Sequence, residues 1–345
     1  MPKPPTQVVK INSQGDLVFA LTQLLGFRPE ESVVIACMNG ERQRIGLTLR
    51  YNLDWLEDSA LVEEDVAPRV RSARPDDIFI AVFSDELPDT GELPHLELVD
   101  ALGCLLGDLI IDIVLVGRDR WWSYGCDNPS CCSPDGNPID AASPGATELS
   151  AAYAMHGKAV LPSRDAVIAS LTYGGDAAAA DAIGEQIEDR ICSHQLIRRP
   201  VRRATMRGLL SRLAAASRDP RNQMSDDDVI EFVALIEDVM VRDEVLVRAG
   251  KTRHRERIIA VLSELARRTP FPYDGPLCAT LAYVAYADGN GIIANVALDR
   301  AFAVDPEYSL AQLTAEALSR QIPPWLARES MRSAAQTLKA TRELG

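Results

Sequence analysis

The residues best suited to chemistry are concentrated between Arg118 and Pro138, RDRWWSYGCDNPSCCSPDGNP, where Arg118, Arg120, Trp121, Trp122 and Tyr124 lead into Cys126, Cys131 and Cys132. Three thiols offer three soft ligands, whereas a structural zinc site closes with four. The nearest sources of a fourth in sequence are His156 and Cys104. The spacing is not that of a zinc knuckle, since no C-x-x-C occurs, and adjacent Cys131 and Cys132 reach one ion only with strain. A second chemistry is a thiol nucleophile or redox pair, because the Arg118 and Arg120 guanidinium groups would favour thiolate. No histidine stands close in sequence to act as its base. A third reading is structural. Asn128-Pro129, Ser133-Pro134, Asp135-Gly136 and Asn137-Pro138 punctuate a tight loop, with cysteines as small buried side chains and Trp121, Trp122 and Tyr124 as a packed strand or wedge.

Elsewhere catalytic signatures are lacking: there is no Walker phosphate loop, G-x-G-x-x-G, H-E-x-x-H or G-x-S-x-G. His95 begins a helix, and His194 and His254 lie among arginines, so all three read as surface residues. A net charge of −14 argues against a nucleic-acid partner, which needs a surplus of Lys and Arg on some face. Seven cysteines scattered over the chain do not form the paired framework of a small secreted domain. The N-terminus MPKPPTQVVK lacks a signal peptide's apolar run, and the most apolar stretch, Leu105 to Val116, is interrupted by Asp108 and Asp112. These features predict a soluble cytoplasmic protein with no membrane partner.

At 345 residues the chain predicts two domains, placed at 1–160 and 161–345. The fold class is α/β, an N-terminal three-layer mixed sheet with helices, followed by an all-α domain. Val8 to Ile11 reads as a first strand, and Ser13 caps a helix over Gln14 to Leu25 that Gly26 ends. Ser32 to Met38 is a strand, Asn39-Gly40 a hairpin turn, and Ile45 to Tyr51 the antiparallel partner. Leu56, Leu61, Val62, Val66 and Val70 mark an amphipathic helix closed by Arg74-Pro75. Two apolar strands, Ile78 to Phe83 and Leu109 to Val116, flank a helix over Leu96 to Leu106. Ligands of open α/β sheets sit where loops leave the carboxyl ends of parallel strands. Asp85, Arg118, Arg120 and the cysteine loop would then share one rim, with Asp85, Arg118, Arg120, Cys131 and Cys132 as candidate catalytic residues for a small anionic substrate.

Beyond Thr147 the pattern is helical: Glu148 to Met155, Asp165 to Leu171, Ala177 to Cys192, Val201 to Ala216, Asp227 to Val247, Arg255 to Arg267 and Leu310 to Ser319. Nine arginines and one aspartate lie between Arg190 and Arg221, against eight acids and one arginine from Asp226 to Glu244. Helices of opposite sign most simply pair with each other. Near 275–308, Gly289, Ala294, Leu298, Ala301 and Pro306 fall at the spacing of a tetratricopeptide-like hairpin. One such unit is a hairpin within a bundle or part of a peptide-binding groove.

Three stretches, LLGFRPEESVV at Leu24 to Val34, the run from Arg120 to Pro138, and GNGIIANVALDRAFAVDPEYSL at Gly289 to Leu310, together resemble the actinobacterial family described as domain of unknown function 4192. Trp122, Ser123, Tyr124, Cys126, Cys131, Cys132, Pro134 and Gly136 match its motif. The resemblance implies a bacterial cytoplasmic protein of the same two-part build, and no reaction. Missing catalytic motifs and the repeat-like hairpin favour a regulatory or interaction protein that binds another protein. The alternatives are an enzyme at the sheet's carboxyl edge and a protein whose Cys126, Cys131, Cys132 and His156 hold a structural zinc.

Overall fold

The computed structural model describes residues 11, 13–57, 59–88, 92–126, 128–155, 159–197, 199–219 and 221–343. They form two compact units, 1–164 and 165–345.

In the first unit, Ser13 accepts the Asp16 amide and opens α1 (Gln14–Leu25), which Gly26 ends in the left-handed region at φ 70°. Val8 to Lys10, most of the expected first strand, lie outside the described residues, and Ile11 joins no strand. The β1 (Ser32–Asn39) and β2 (Arg44–Asn52) strands pair antiparallel from Ser32 opposite Asn52 to Asn39 opposite Arg44. Gly40 to Gln43 make the turn, closed by the Gln43 amide on the Gly40 carbonyl at 2.8 Å. The expected helix from Asp54 is instead a succession of tight and wide turns: a 3-10 turn (Asp54–Glu57), α2 (Ser59–Leu61), a π turn (Val62–Val66) and α3 (Ala67–Ala73). Val62, Val66 and Val70, spaced four residues apart, all reach the core from this succession. β3 (Asp77–Phe83), α4 (Leu96–Leu106) and β4 (Ile110–Val116) follow as expected, then the short β5 (Arg120–Ser123) and β6 (Asn137–Pro138), and α5 (Pro144–Met155).

The sheet order is β2-β1-β3-β4-β5-β6. Among the described strands only β3 and β4 are parallel neighbours, since β1 pairs antiparallel with both β2 and β3, and β5 antiparallel with β4 and β6. The central strands β1 and β3 and the carboxyl half of β4 are buried on both faces, as their apolar runs predict. On one face Val33, Ile35, Ile80, Val82 and Leu115 pack with Val66 and Val70 and with Leu98 and Leu102 of α4. The alternate set, Val34, Ala36, Phe79, Ala81 and Val114, is fully buried as well. Each of the Val, Leu, Ile and Phe side chains withdrawn from water contributes about 1.5–3 kcal/mol, so the central strands are the rigid frame from which the loops project.

The second unit is helical among the described residues. It runs from α6 (Arg164–Leu171), which straddles the boundary, through α7 (Ala177–Leu196), α8 (Arg199–Ala216), α9 (Asp226–Ile236), α10 (Val239–Lys251) and α11 (Arg255–Arg267) to α12 (Gly275–Asp288), α13 (Gly291–Val304), α14 (Ser309–Ser319) and α15 (Pro324–Glu343). The single helix expected over Asp227 to Val247 is two, because the Asp238 side chain takes the Met240 amide and starts a new N-terminus. The pairing expected between helices of opposite charge is present: Arg190 of α7 meets Asp227 and Glu231 of α9, and Arg212 of α8 meets Asp228. His194, expected at the surface, is instead buried, its Nε2 2.9 Å from Glu231 Oε1. The consecutive α12 and α13 helices pack against each other as a helical hairpin. A Cβ on Gly275 would come within 2.8 Å of Val304, which measures how closely they approach. No described helix is long and apolar enough to cross a membrane.

Candidate metal centre and carboxyl-edge cleft

The cysteine loop is held at both of its roots by residues of β5. Arg120 donates to the Asp135 and Gly136 carbonyls at 3.1 and 2.8 Å, and Trp122 Nε1 donates to the Pro134 carbonyl at 3.1 Å. Gly136, at φ 81°, lies flat against the Trp122 indole, where a Cβ would fall 2.5 Å from the ring. Only glycine fits there on both counts. At the tip, the Asn128 carbonyl accepts the Cys131 and Cys132 amides at 3.1 and 2.8 Å, and the Asn128 side chain accepts the Ser130 amide at 3.0 Å. This turn folds the adjacent pair back onto Cys126. The Cys126 and Cys131 sulfurs stand 3.2 Å apart and those of Cys131 and Cys132 3.9 Å, with all three within 4.8 Å of one another.

Zinc–thiolate bonds of about 2.3 Å set sulfur–sulfur edges of about 3.8 Å. The three sulfurs therefore need shifts of only a fraction of an ångström to hold one soft ion, since the Asn128 turn already brings adjacent Cys131 and Cys132 together with Cys126. Among the described residues this is the one group of three His, Cys, Asp or Glu side chains close enough to do so. Cys104 stands on α4, exposed and outside the group, and His156 lies outside the described residues.

Hydrogen bonding within the trio sets its acidity. Bonds from Cys131, from the Asn128 backbone and from Cys132 hold the Cys126 thiol below its usual range. Cys131 is raised, chiefly through its bond to Cys126, and Cys132 is pushed up to about 12 by burial and by the same neighbours. The first negative charge settles on Cys126 and opposes the next. Arginine takes no part in lowering it, contrary to expectation: the Arg120 guanidinium is engaged by loop carbonyls.

The expected shared rim is divided. Asp85 and Arg118 do follow the adjacent parallel strands β3 and β4, joined there by the Ser84 amide on the Val116 carbonyl at 3.2 Å. Because β5 runs antiparallel to β4, with Trp121 opposite Val116 and Ser123 opposite Val114, the cysteine loop leaves from the other end, near Asp112. Ser123 donates to half-buried Asp112 at 2.8 Å, and Gln14 donates to the same carboxylate.

What the rim does gather escaped the sequence. A cavity of about 850 Å³ and a second of about 510 Å³ share Leu53, Glu86 and His95, so they form one cleft beside β3's carboxyl end. At its floor His95 Nε2 stands 3.1 Å from Ser84 Oγ, which lies 3.3 Å from Glu31 Oε2 and accepts the Glu86 amide at 3.1 Å. Glu31 also takes the Asp85 amide at 2.6 Å. Two of the described non-glycine residues with positive φ, Glu31 at 37° and His95 at 61°, are in this cluster, a backbone cost that persists only where surroundings enforce it. His95 is thus no ordinary surface residue, its side chain being 19% exposed. The signal available in sequence was the Ser84-Asp85-Glu86 run after a buried strand.

Of the hairpin residues, Ala294, Leu298 and Ala301 are buried within the helical unit, while Gly289 and Pro306 are exposed at its turns. A family model, that of the domain of unknown function DUF4192, matches residues 15–325. No curated protein matches the chain at the threshold applied. Neither does any solved structure.

Proposed function

The chain belongs to the DUF4192 family, and for its central motif we propose a zinc site: Cys126, Cys131 and Cys132 as three thiolate ligands that order the loop between β5 and β6. The observation that carries this reading is the convergence of three sulfurs within 4.8 Å at the tip of a loop braced by Arg120, Trp122 and Gly136. Thiolates select soft or borderline ions over magnesium or calcium. Chemistry through Arg118, Arg120 and the cysteines on an anionic substrate loses support, since Arg120 is occupied and the cysteines face another end of the sheet. A protein partner, if met here, would meet this loop, where Asn128, Pro129, Ser130, Cys131 and Pro134 are exposed, rather than the buried Ala294, Leu298 and Ala301.

The test is elemental analysis of protein purified without chelator, followed by cobalt replacement. One zinc per chain is expected, with near-ultraviolet thiolate-to-cobalt absorption that disappears in the Cys131→Ser, Cys132→Ser double variant. Metal-free protein whose reduced form takes up neither ion would exclude the site.

A further inference from the structure

The carboxyl-edge cleft stands apart from the thiol loop in both residues and chemistry. Glu30, Glu31, Asp54, Glu86, Glu92 and Glu97 line it, and among the described residues its one basic lining residue is His95. Leu87 and Leu96, both exposed, and Leu93 give it an apolar side beside them.

The hydrogen bonds at the floor settle what the Ser84–His95 pair can do. Ser84 has one hydroxyl proton. A carboxylate only accepts, so the bond to Glu31 requires that proton. One lone pair of Oγ is taken by the Glu86 amide, and the histidine must then donate from Nε2 to the other. Ser84, buried at 5% exposure and saturated in this way, is a brace and not a nucleophile. In a neutral ring the same bonds leave Nδ1 as the acceptor. The cleft therefore offers carboxylates, one imidazole acceptor and an apolar wall, and no cationic side chain to hold an anion.

We propose that this cleft, centred on Glu86 and His95, binds a small organic cation: a primary amine or polyamine carrying an apolar body. The ammonium supplies close donors to Glu86, whose carboxylate otherwise has His95 Nε2 only at 3.9 Å, and to the His95 acceptor, and the apolar body covers the leucines. A bare metal ion is the poorer fit, because no three of these acids are close enough together to coordinate one. An anionic substrate is opposed by every ionised group that lines the cleft.

Titration calorimetry on the full chain tests this with phenethylamine and spermidine as probes, and 3-phenylpropanoate and magnesium as counter-probes. The amines are expected to bind and the counter-probes not. Glu86→Gln should weaken amine binding about three- to tenfold. Because Glu86 is largely exposed, that variant should keep the wild-type melting temperature. Glu237→Gln, which removes an equal charge from the helical unit, should leave affinity unchanged and so separates the cleft from general attraction to an acidic protein. No amine binding at about 10 mM, phenylpropanoate binding as tightly as phenethylamine, or equal effects of the two substitutions would each overturn the proposal.

Discussion

Each side chain of the cysteine motif acts through a neighbour that sequence spacing does not reveal. The cluster was legible as a concentration of thiols, but its closure was not, because it depends on the Asn128 carbonyl accepting two amides at once. Gly136 gives the sharpest test of that frame. Gly136→Ala combines a positive φ of 81° with a Cβ 2.5 Å from the Trp122 ring, a cost of about 1–3 kcal/mol. For the proposed site this means a lower thermal midpoint, by about 2–4 °C per kcal/mol, and weaker zinc retention, read by dialysis against a graded chelator. The acidity of the trio gives a second. Cys131 and Cys132 are raised, the latter to about 12, so both carry protons at neutral pH in the metal-free chain. An entering ion must displace at least those two protons. Zinc affinity should then rise with pH by about a hundredfold or more per unit between pH 6 and 8, whereas a pH-independent affinity would place the ion elsewhere.

At the scale of elements, the direction of one short strand decided which residues share a site. The apolar runs of β3 and β4 were readable, as was their helical link, and they do form the parallel pair whose carboxyl ends open the cleft. That β5 turns back against β4 was not readable, since a four-residue strand carries no directional signal, and so the cysteines were expected on a rim that they leave. His95 was missed for a related reason: it caps α4 in the left-handed region, and its partners Glu31 and Ser84 come from the ends of other strands. Tyr124 connects the two regions. Its hydroxyl donates to the Pro94 carbonyl at 2.8 Å, pinning the turn before His95, and burial raises its own pKa. Tyr124→Phe should cost about 0.5–1.5 kcal/mol in chemical denaturation. In the amide spectrum it should shift the resonances of Leu93 to Leu98; a shift confined to the cysteine loop would dissociate the two.

Across the whole molecule, a net charge of −14 coexists with an arginine-rich stretch whose ion pairs are internal to the helical unit. That opposite-sign helices pair was legible from composition alone. Which pair matters was not, because burial depends on tertiary position: Glu231 is 8% exposed between Arg190 and His194, while Asp219 pairs with an Arg221 that is 88% exposed. An exposed pair contributes little, since water and salt screen it and both side chains lose freedom. Neutralising the shared carboxylate in the buried cluster instead leaves Arg190 with only its exposed partner Asp227 and removes the negative charge beside the buried His194 ring. Glu231→Gln should therefore destabilise the helical unit by about 1–3 kcal/mol, seen as a lower denaturant midpoint with an unchanged slope. Asp219→Asn should leave the midpoint where it is. Moderate salt should not restore the Glu231→Gln loss, because a desolvated contact is not a screened one. Recovery in salt would mean that the cluster is wetter than its burial indicates, and that general repulsion among the acids sets the stability of this unit.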